Sequence, residues 1–271
     1  MKVGVTGSSG FVGTITKNFL LKKNINIIEY KCDLSNASEV HEMFSNQGFP
    51  DVLIHLAGRF SQSYEDSIKD NLNSTINLVN EISSKKIHLI FSSTGAVYGD
   101  SGSQPIDESF RGKINTSYGL IKSWCEQAIV FHSNKVNFNF TILRLPSIYG
   151  KENTKGIIHE WLKSTDKHNK ITIHGDGNQH RSFINAYDVA NAIYLITVNS
   201  IYGTYNLSHH ENYSLNELAS IFNKVFGCKI ESKNADPNNM LQSMVLDSSK
   251  LYKKLNYKPS IDIKAFLTNQ Y

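Results

Sequence analysis

A glycine-rich turn near the start of the chain constrains its fold more than any other feature. A β-rich run over residues 2–6 leads into this turn, and a helical pattern then extends to about residue 23. A glycine loop between a strand and a helix lets the backbone approach a pyrophosphate, and the helix N-terminus adds free N–H groups. We therefore predict a dinucleotide phosphate site formed by Gly7, Ser9, Gly10, Phe11, Val12 and Gly13. The alternative is an ordinary strand–helix turn that is rich in glycine.

Strands and helices alternate through the first half of the chain. Further apolar β-rich runs cover residues 25–30, 52–56, 87–91 and 138–143, and helical patterns separate them. This order predicts an α/β fold, a Rossmann-type doubly wound parallel sheet, over residues 1–149. Beyond Gly150 the elements are less regular and predict a smaller C-terminal α/β substrate lobe over residues 150–271. The boundary is approximate, since later strands can return to the main sheet.

Composition narrows the class of protein. The net charge is +4, and the basic residues are scattered, which mildly favours an anionic small ligand and gives nucleic-acid binding no support. No apolar run approaches the 18 residues of a membrane span, and a strand begins too early for a signal peptide. Three widely spaced cysteines, Cys32, Cys125 and Cys228, form no metal-ligand group. We expect a cytoplasmic protein without a metal.

Three residues in the middle of the chain have the chemistry of proton transfer. Thr94 ends the Phe-Ser-Ser-Thr segment after a predicted strand, and Tyr118 and Lys122 stand four residues apart. On a helix these two side chains share a face, and a nearby ammonium lowers the pKa of a phenol. We therefore expect Thr94, Tyr118 and Lys122 to form a general acid/base site acting on a hydroxyl.

The end of the second predicted strand bears on the choice of cofactor. A carboxylate there normally holds the adenosine ribose, but this chain has Tyr30 and Lys31, with Glu29 one step inside the strand. Lys31 could instead meet a 2′-phosphate, which favours NADP(H), or it could simply be solvated. Asp33 is placed for the adenine edge, or it forms a turn or a helix cap.

The motifs together resemble the extended short-chain dehydrogenase/reductase family, in particular its nucleotide-sugar epimerases, dehydratases and 4-ketoreductases. The resemblance extends in order over nearly the whole chain. It is carried by the glycine loop, Asp33-Leu34, His55-Leu-Ala-Gly58, Asn71-x-x-Ser-Thr, Ser-Ser-Thr94-Gly-Ala-Val-Tyr-Gly99, Tyr118-x-x-x-Lys122, Arg144-Leu-Pro-Ser-Ile-Tyr-Gly150, Arg181-Ser-Phe-Ile and Leu246-Asp-Ser-Ser-Lys250.

The resemblance implies roles for particular residues. Tyr118 would be the acid/base, Lys122 its partner and a nicotinamide-ribose ligand, and Thr94 the hydroxyl that polarises the reacting oxygen. NAD(P) would be held by the glycine loop together with Lys31, Asp33, Leu34, Leu56, Ala57, Gly58, Asn71, Tyr118 and Lys122. Asn71 would also support the active-site helix and its water. A homodimer through the helices around Ile76 and Cys125 is also implied.

The resemblance also suggests substrate ligands. Arg181 would meet a substrate diphosphate, or it would pair with Asp176 or Asp188. Ser147 would contact the substrate, although the family commonly has asparagine at this position. For Arg144 we expect a structural role, in a packed ion pair or a core contact, rather than a ligand contact.

Departures from the family pattern refine the expected reaction. Gly95 and Ala96 replace the acidic pair that dehydratases carry, so elimination of water is not expected. A second diphosphate-binding arginine is missing where the chain reads Asp236-Pro-Asn-Asn. We predict 4-keto reduction of a nucleotide-diphosphate sugar, with NAD-dependent 4-epimerisation as the alternative. A third possibility is a catalytically silent, cofactor-sensing regulatory subunit.

Overall fold

The computed structural model describes residues 1–61, 63–136, 138–234 and 243–269. The strands are β1 (Lys2–Thr6), β2 (Asn26–Tyr30), β3 (Val52–His55), β4 (His88–Thr94), β5 (Asn139–Leu145), β6 (Ser147–Tyr149), β7 (Lys170–His174), β8 (His180–Asn185), β9 (Gly203–Asn206), β10 (Asn212–Ser214) and β11 (Lys229–Lys233). The helices are α1 (Phe11–Lys22), α2 (Ala37–Gln47), α3 (Tyr64–Ser67), α4 (Ser74–Ile82), α5 (Ser117–Val136), α6 (Ile157–His168), α7 (Ala186–Asn199), α8 (Leu215–Phe226), α9 (Ser249–Leu255) and α10 (Ile263–Thr268). A π-helical segment, Ile68–Asn73, joins α3 to α4, and a 3₁₀ turn, Gly95–Tyr98, follows β4.

Six parallel strands form the main sheet, in the order β2-β1-β3-β4-β5-β9. The chain runs from β1 to one edge and then restarts on the other side of β1, so the strand order reverses between β1 and β3. In such sheets ligands bind in the crevice outside the carboxyl ends of the strands at this reversal. The predicted α/β, Rossmann-type sheet is confirmed, and its geometry places the functional crevice beside the glycine loop.

Apolar side chains cover both faces of the main sheet, as the continuous hydrophobic runs of β1, β3 and β4 require. On one face Val5 and Ile54 pack with Ile193 of α7 and Leu251 of α9. On the opposite face the apolar side chains of β3, β4 and β5 pack with those of α2, α4 and α5, including Leu53, Phe44, Leu78, Phe91, Ile121 and Ile142. The sheet is therefore sandwiched between two helical layers, and its polar strand ends are left for the site.

The second half of the chain builds a smaller layer and also completes the first. Strand β8 pairs with β6 in parallel and with β10 in antiparallel, while β7 and β11 form a separate parallel pair. A third apolar cluster, with Trp161, Phe183 and Phe222, lies among these strands and their helices. Strand β9 pairs with β5, so the chain does return to the main sheet. The division near Tyr149 remains a prediction.

A buried ion pair attaches α5 to the sheet. Arg144 of β5 contacts Glu126 of α5 through a 2.7 Å bond from Nη2 to Oε2 and a 3.1 Å bond from Nε to Oε1. Ser93 of β4 also donates to Oε1 of Glu126, and Arg144 Nη1 donates to the Tyr98 hydroxyl at 2.8 Å. The Tyr98 hydroxyl in turn donates to Oδ1 of Asn206 at 2.7 Å. The packed ion pair expected for Arg144 is confirmed.

The Arg144→Met variant tests how much this pair stabilises the fold. It leaves the Glu126 carboxylate buried without its counter-ion, so we expect a loss of about 3–5 kcal/mol in the free energy of unfolding. Urea denaturation followed by circular dichroism measures the loss. The control is Lys170→Met, which removes a solvated pair with Glu231 at 3.0 Å and should cost no more than about 1 kcal/mol. Equal losses for the two variants would contradict the assignment.

Candidate active site

The glycine loop has the open backbone that a phosphate group needs. Gly7 has φ 71°, and a Cβ on Gly7 would lie 2.5 Å from the amide nitrogen of Ala57. A Cβ on Gly13 would lie 1.9 Å from the carbonyl oxygen of Gly7. A Cβ on Gly10 would meet only the Gly7 carbonyl oxygen, at 3.3 Å, and no side chain caps the N-terminus of α1. Gly7 and Gly13 are therefore needed by the fold itself, whereas the space at Gly10 suits the close approach of a dinucleotide.

A cleft of about 190 Å³ opens where the parallel strands end. It is lined by Val12, Leu56, Ser92, Ser93, Thr94, Tyr118, Leu145, Pro146 and Ile148. These residues lie on α1, at the carboxyl ends of β4 and β5, and in the first turn of α5. The remaining ones lie in the segment after β3, in the link between β5 and β6, and on β6. The structure therefore brings part of the predicted cofactor site and two of the three predicted catalytic residues into one cavity.

The predicted catalytic residues lie on two adjacent elements. Thr94 ends β4, and its hydroxyl oxygen accepts a hydrogen bond from the Ala96 amide at 3.2 Å. Tyr118 opens α5, and Lys122 follows one turn later with only 2% of its surface exposed. The Lys122 Nζ lies 4.1 Å from the centroid of the Phe91 ring, which gives the buried ammonium a cation–π partner. Lys122 thus lies in the wall behind the cleft.

Burial dominates the titration of both α5 groups. It raises the pKa of Tyr118 to about 12 and lowers the pKa of Lys122 to about 8. The expectation of a lowered phenol pKa is wrong for the structure described here, because removal of the phenolate from water disfavours the charged form of Tyr118. Tyr118 therefore carries its proton at neutral pH.

Asn71 fixes the loop that follows β3. Its side chain is buried in the π-helical segment, where Oδ1 accepts from the Arg59 amide at 3.2 Å and Nδ2 donates to the Arg59 carbonyl at 2.9 Å. A Cβ on Gly58 would lie 2.8 Å from Asn71 Oδ1 and 3.8 Å from Lys122 Nζ. Asn71 and Gly58 are therefore close to Lys122, the predicted catalytic lysine. The π turn itself was not predicted from the sequence, although such turns are frequent at functional sites.

Glu29 is a site residue that the sequence reasoning underestimated. The Ser8 hydroxyl in the glycine loop donates to Glu29 Oε2 at 2.7 Å, and Lys31 Nζ lies 3.1 Å from the same oxygen. The hydrogen bond from Ser8 and the contact with Lys31 lower the pKa of Glu29 to about 2. A carboxylate thus does lie beside the glycine loop at the end of β2. Successive side chains of a strand point to opposite faces, so Glu29 lies on the same face of β2 as the half-buried Ile27. This alternation is the sequence signal that could have identified Glu29.

Asp33 and Leu34 adopt a turn before α2. Asp33 Oδ1 accepts from the Ser35 amide at 2.9 Å and from the Ser35 hydroxyl at 2.7 Å. Leu34 is buried in the apolar cluster below, and its carbonyl accepts from Asn77 Nδ2 at 3.0 Å. The turn alternative for Asp33 is what the structure shows, and contact of either residue with a cofactor remains a prediction.

The predicted substrate ligands lie on the smaller sheet. Ser147 begins β6 and pairs in register with Phe183, two residues beyond Arg181 on β8. Burial lowers the pKa of Arg181 to about 10. Asp188, one proposed partner of Arg181, accepts from the Ser260 and Ile261 amides at 3.2 and 3.0 Å. The Asp236-Pro-Asn-Asn segment lies outside the described residues.

Met244 occupies the space beside the catalytic threonine. A Cβ on Gly95 would lie 2.2 Å from the Met244 Sδ, and the Met244 amide is fixed by the His180 carbonyl at 2.8 Å. An acidic side chain at position 95 would therefore have to displace the thioether. This contact gives a structural reason for the expectation that the site does not eliminate water.

Three other predictions concern features outside the cleft. Cys125 is completely buried inside the protomer, so its side chain cannot contact a partner, and the homodimer through α4 and α5 remains a prediction. Within the described ranges no helix is long and apolar enough to cross a membrane. Over those same ranges no group of three or more His, Cys, Asp or Glu side chains is arranged to hold a metal.

The Lys122→Met variant tests how much the buried Lys122 ammonium destabilises the fold. Methionine removes a buried charge but keeps an apolar stem of similar length, so we expect the free energy of unfolding to rise by about 1–3 kcal/mol. The gain should be largest below pH 8 and should shrink at higher pH, because the folded protein sheds the Lys122 proton before the unfolded chain does. Urea denaturation from pH 7 to 10 measures this; a gain that grows with pH would contradict it.

Comparisons with known proteins agree with this geometry. Residues 3–208 match the model of the NAD dependent epimerase/dehydratase family. A putative UDP-glucose 4-epimerase of Methanocaldococcus jannaschii is 28% identical, and the alignment covers 96% of this chain and 94% of the relative. UDP-glucuronic acid decarboxylase 1 of Arabidopsis thaliana is 24% identical, with 97% of this chain and 67% of the relative covered.

Solved structures show the same fold. The UDP-glucose 4-epimerase of Thermus thermophilus, crystallised with NAD, has a TM-score of 0.87 at 21% identity and covers 99% of this chain and 97% of the other. The family match extends over the glycine loop, the residues that line the cleft and the strands from β2 to β9. The chain therefore belongs to the NAD-dependent epimerase/dehydratase family, and it is an enzyme of the extended short-chain dehydrogenase/reductase type.

Proposed function

We propose that this enzyme is an NAD-dependent 4-epimerase of UDP-sugars. The observation that carries this proposal is the position of Glu29, which lies beside the glycine loop and holds Lys31 in an ion pair. A missing ribose carboxylate, Lys31 and the compact second half of the chain favoured the 4-keto reductase, and the contacts of Glu29 with Ser8 and Lys31 weaken the first two of these reasons. The epimerase names of the M. jannaschii relative and the T. thermophilus structure support the same choice.

Glu29 also supports NAD over NADP. A carboxylate that stays ionised down to about pH 2 can accept hydrogen bonds from the two hydroxyls of an adenosine ribose. The same charge repels a 2′-phosphate, and it pairs with the Lys31 ammonium at 3.1 Å. The lean toward NADP(H) in the sequence analysis therefore loses its basis.

The chain's own residues supply the proton chemistry. When bound, NAD provides an acceptor and donor of hydride. For the reaction to run near neutral pH, the raised pKa of Tyr118 must fall when the ligands bind. The Tyr118 phenolate then accepts the proton of the sugar 4-hydroxyl and the phenol returns it to the carbonyl oxygen, while the Thr94 hydroxyl donates a hydrogen bond to that oxygen. The Lys122 ammonium stabilises the phenolate when the proton leaves Tyr118. Met244 beside Gly95 leaves no acid at the position that elimination requires.

Other predicted residues fit the binding of the two ligands. The glycine loop with Leu56, Ala57 and Gly58 would hold the dinucleotide, and Asn71 would keep the loop after β3 in place. Arg181 would bind the substrate diphosphate and Ser147 the sugar, which is consistent with their neighbouring positions on β8 and β6.

An assay without added cofactor tests the reaction. We expect the purified protein to retain NAD and to interconvert UDP-glucose and UDP-galactose, and Tyr118→Phe to lower kcat by at least about 100-fold without releasing NAD. Tyr187→Phe, at an exposed position on α7, is the matched control and should keep full activity. Activity that appears only when NADPH and a 4-keto sugar nucleotide are supplied would establish the reductase instead. Full activity of Tyr118→Phe would overturn the mechanism.

Cofactor selectivity tests the role of Glu29. We expect the wild type to bind NAD at least about tenfold more tightly than NADP and Glu29→Gln to lose most of this ratio, because the variant removes the charge that repels the 2′-phosphate. Titration of cofactor-free protein by calorimetry measures both affinities. Glu231→Gln changes the net charge equally at a remote exposed pair and should leave the ratio unchanged. An unchanged ratio in Glu29→Gln would rule out this role.

A further inference from the structure

An exposed phenylalanine lies against the catalytic tyrosine. The ring of Phe60 contacts the ring of Tyr118 edge-on, with the centroids 5.3 Å apart and the planes at 65°. Phe60 nevertheless remains 65% exposed, and it is not among the residues that line the cleft below Tyr118. Its ring therefore borders Tyr118 from outside the cleft.

The backbone that carries Phe60 is fixed. Asn71 binds both the amide and the carbonyl of the preceding residue, Arg59, at 3.2 and 2.9 Å. The Arg59 guanidinium lies 3.7 Å from the Asp70 carboxylate. On the far side the Ser63 amide donates to the Ser61 hydroxyl at 3.1 Å. Hydrogen bonds on both sides thus hold a large apolar ring in water next to the acid/base.

A single exposed apolar residue does not by itself indicate a ligand. Phe131 shows the ordinary case, because it is 64% exposed and its ring contact is with the adjacent His132. It lies on α5 about 20 Å from Tyr118 along the helix axis, from the rise of 1.5 Å per residue. Phe60 differs in its contact with the catalytic phenol and in its anchored backbone.

We propose that Phe60 is the platform on which the sugar ring of the substrate rests. A hexopyranose presents a face of C–H groups, and an aromatic ring offers a matching apolar surface that excludes water. A sugar that places its 4-hydroxyl at Tyr118 has its ring within reach of Phe60. The platform binds the sugar moiety and leaves the nucleotide to other residues, and the inference rests on the UDP-sugar function proposed above.

The test compares UDP-glucose with UDP. Calorimetry on NAD-loaded wild type, Phe60→Ala and Phe131→Ala gives the ratio of the two affinities for each protein. We expect Phe60→Ala to weaken UDP-glucose binding between about threefold and tenfold, the range of one aromatic contact, with UDP binding unchanged. Phe131→Ala should match the wild type, and Phe60→Tyr should restore the ratio. In turnover, Phe60→Ala should raise KM with little change in kcat.

The outcomes distinguish this inference from the proposed function. If the wild type binds UDP-glucose more tightly than UDP and Phe60→Ala keeps that ratio, the platform is wrong and the proposed function stands. If the wild type binds neither ligand, the substrate class is wrong and the platform falls with it. Equal loss of both ligands in Phe60→Ala, or a lower melting temperature that Phe60→Tyr does not restore, would indicate a structural role and overturn the platform.

Discussion

The buried ion pair between Glu126 and Arg144 fixes the geometry on which the active site depends. Tyr118, Lys122 and Glu126 lie at successive four-residue steps on α5, so a single attachment sets the height and rotation of all three. Ser93 reaches the same carboxylate from β4, one residue before Thr94. Through Tyr98 the network extends to Asn206 at the end of β9. The charged groups of Glu126 and Arg144 are buried. Their contacts, together with that of Ser93, fix the distance between β4, which carries Thr94, and α5, which carries Tyr118.

Desolvation competes with charge pairing throughout this region. The phenol of Tyr118 keeps its proton because burial raises its pKa, and Lys122 retains a cation–π contact with Phe91 even though burial lowers its own pKa. At the solvated edge the balance is the opposite, since Glu29 is held ionised by Ser8 and Lys31. Burial thus keeps the Tyr118 phenol uncharged and brings the pKa of Lys122 down to about 8, whereas Glu29 at the cofactor edge is ionised. This contrast suits proton exchange at one end and recognition of a diol at the other.

Structural features that form within one or two neighbouring elements could be predicted from local patterns in the sequence. The glycine loop, the alternation of strands and helices, and the four-residue spacing of Tyr118 and Lys122 each arise within one or two elements, and the structure contains all of them. The role of Glu29 depends on which face of β2 meets the glycine loop, and the register of two strands sets that. The contact between Gly95 and Met244 joins residues far apart in the chain, so no local sequence pattern predicts it. The phenol pKa depends on burial, which the sequence does not record.

The return of β9 to the main sheet has a consequence for how the enzyme is made. Until residues 203–206 have been synthesised, β5 is an open edge strand with unpaired backbone groups. Until residue 244 follows, the space above Gly95 is also open. A nascent chain therefore holds Thr94, Tyr118, Lys122 and the residues that line the cleft while β5 is still an unpaired edge. The interval leaves the edge of β5 exposed until its long-range pairing with β9 forms.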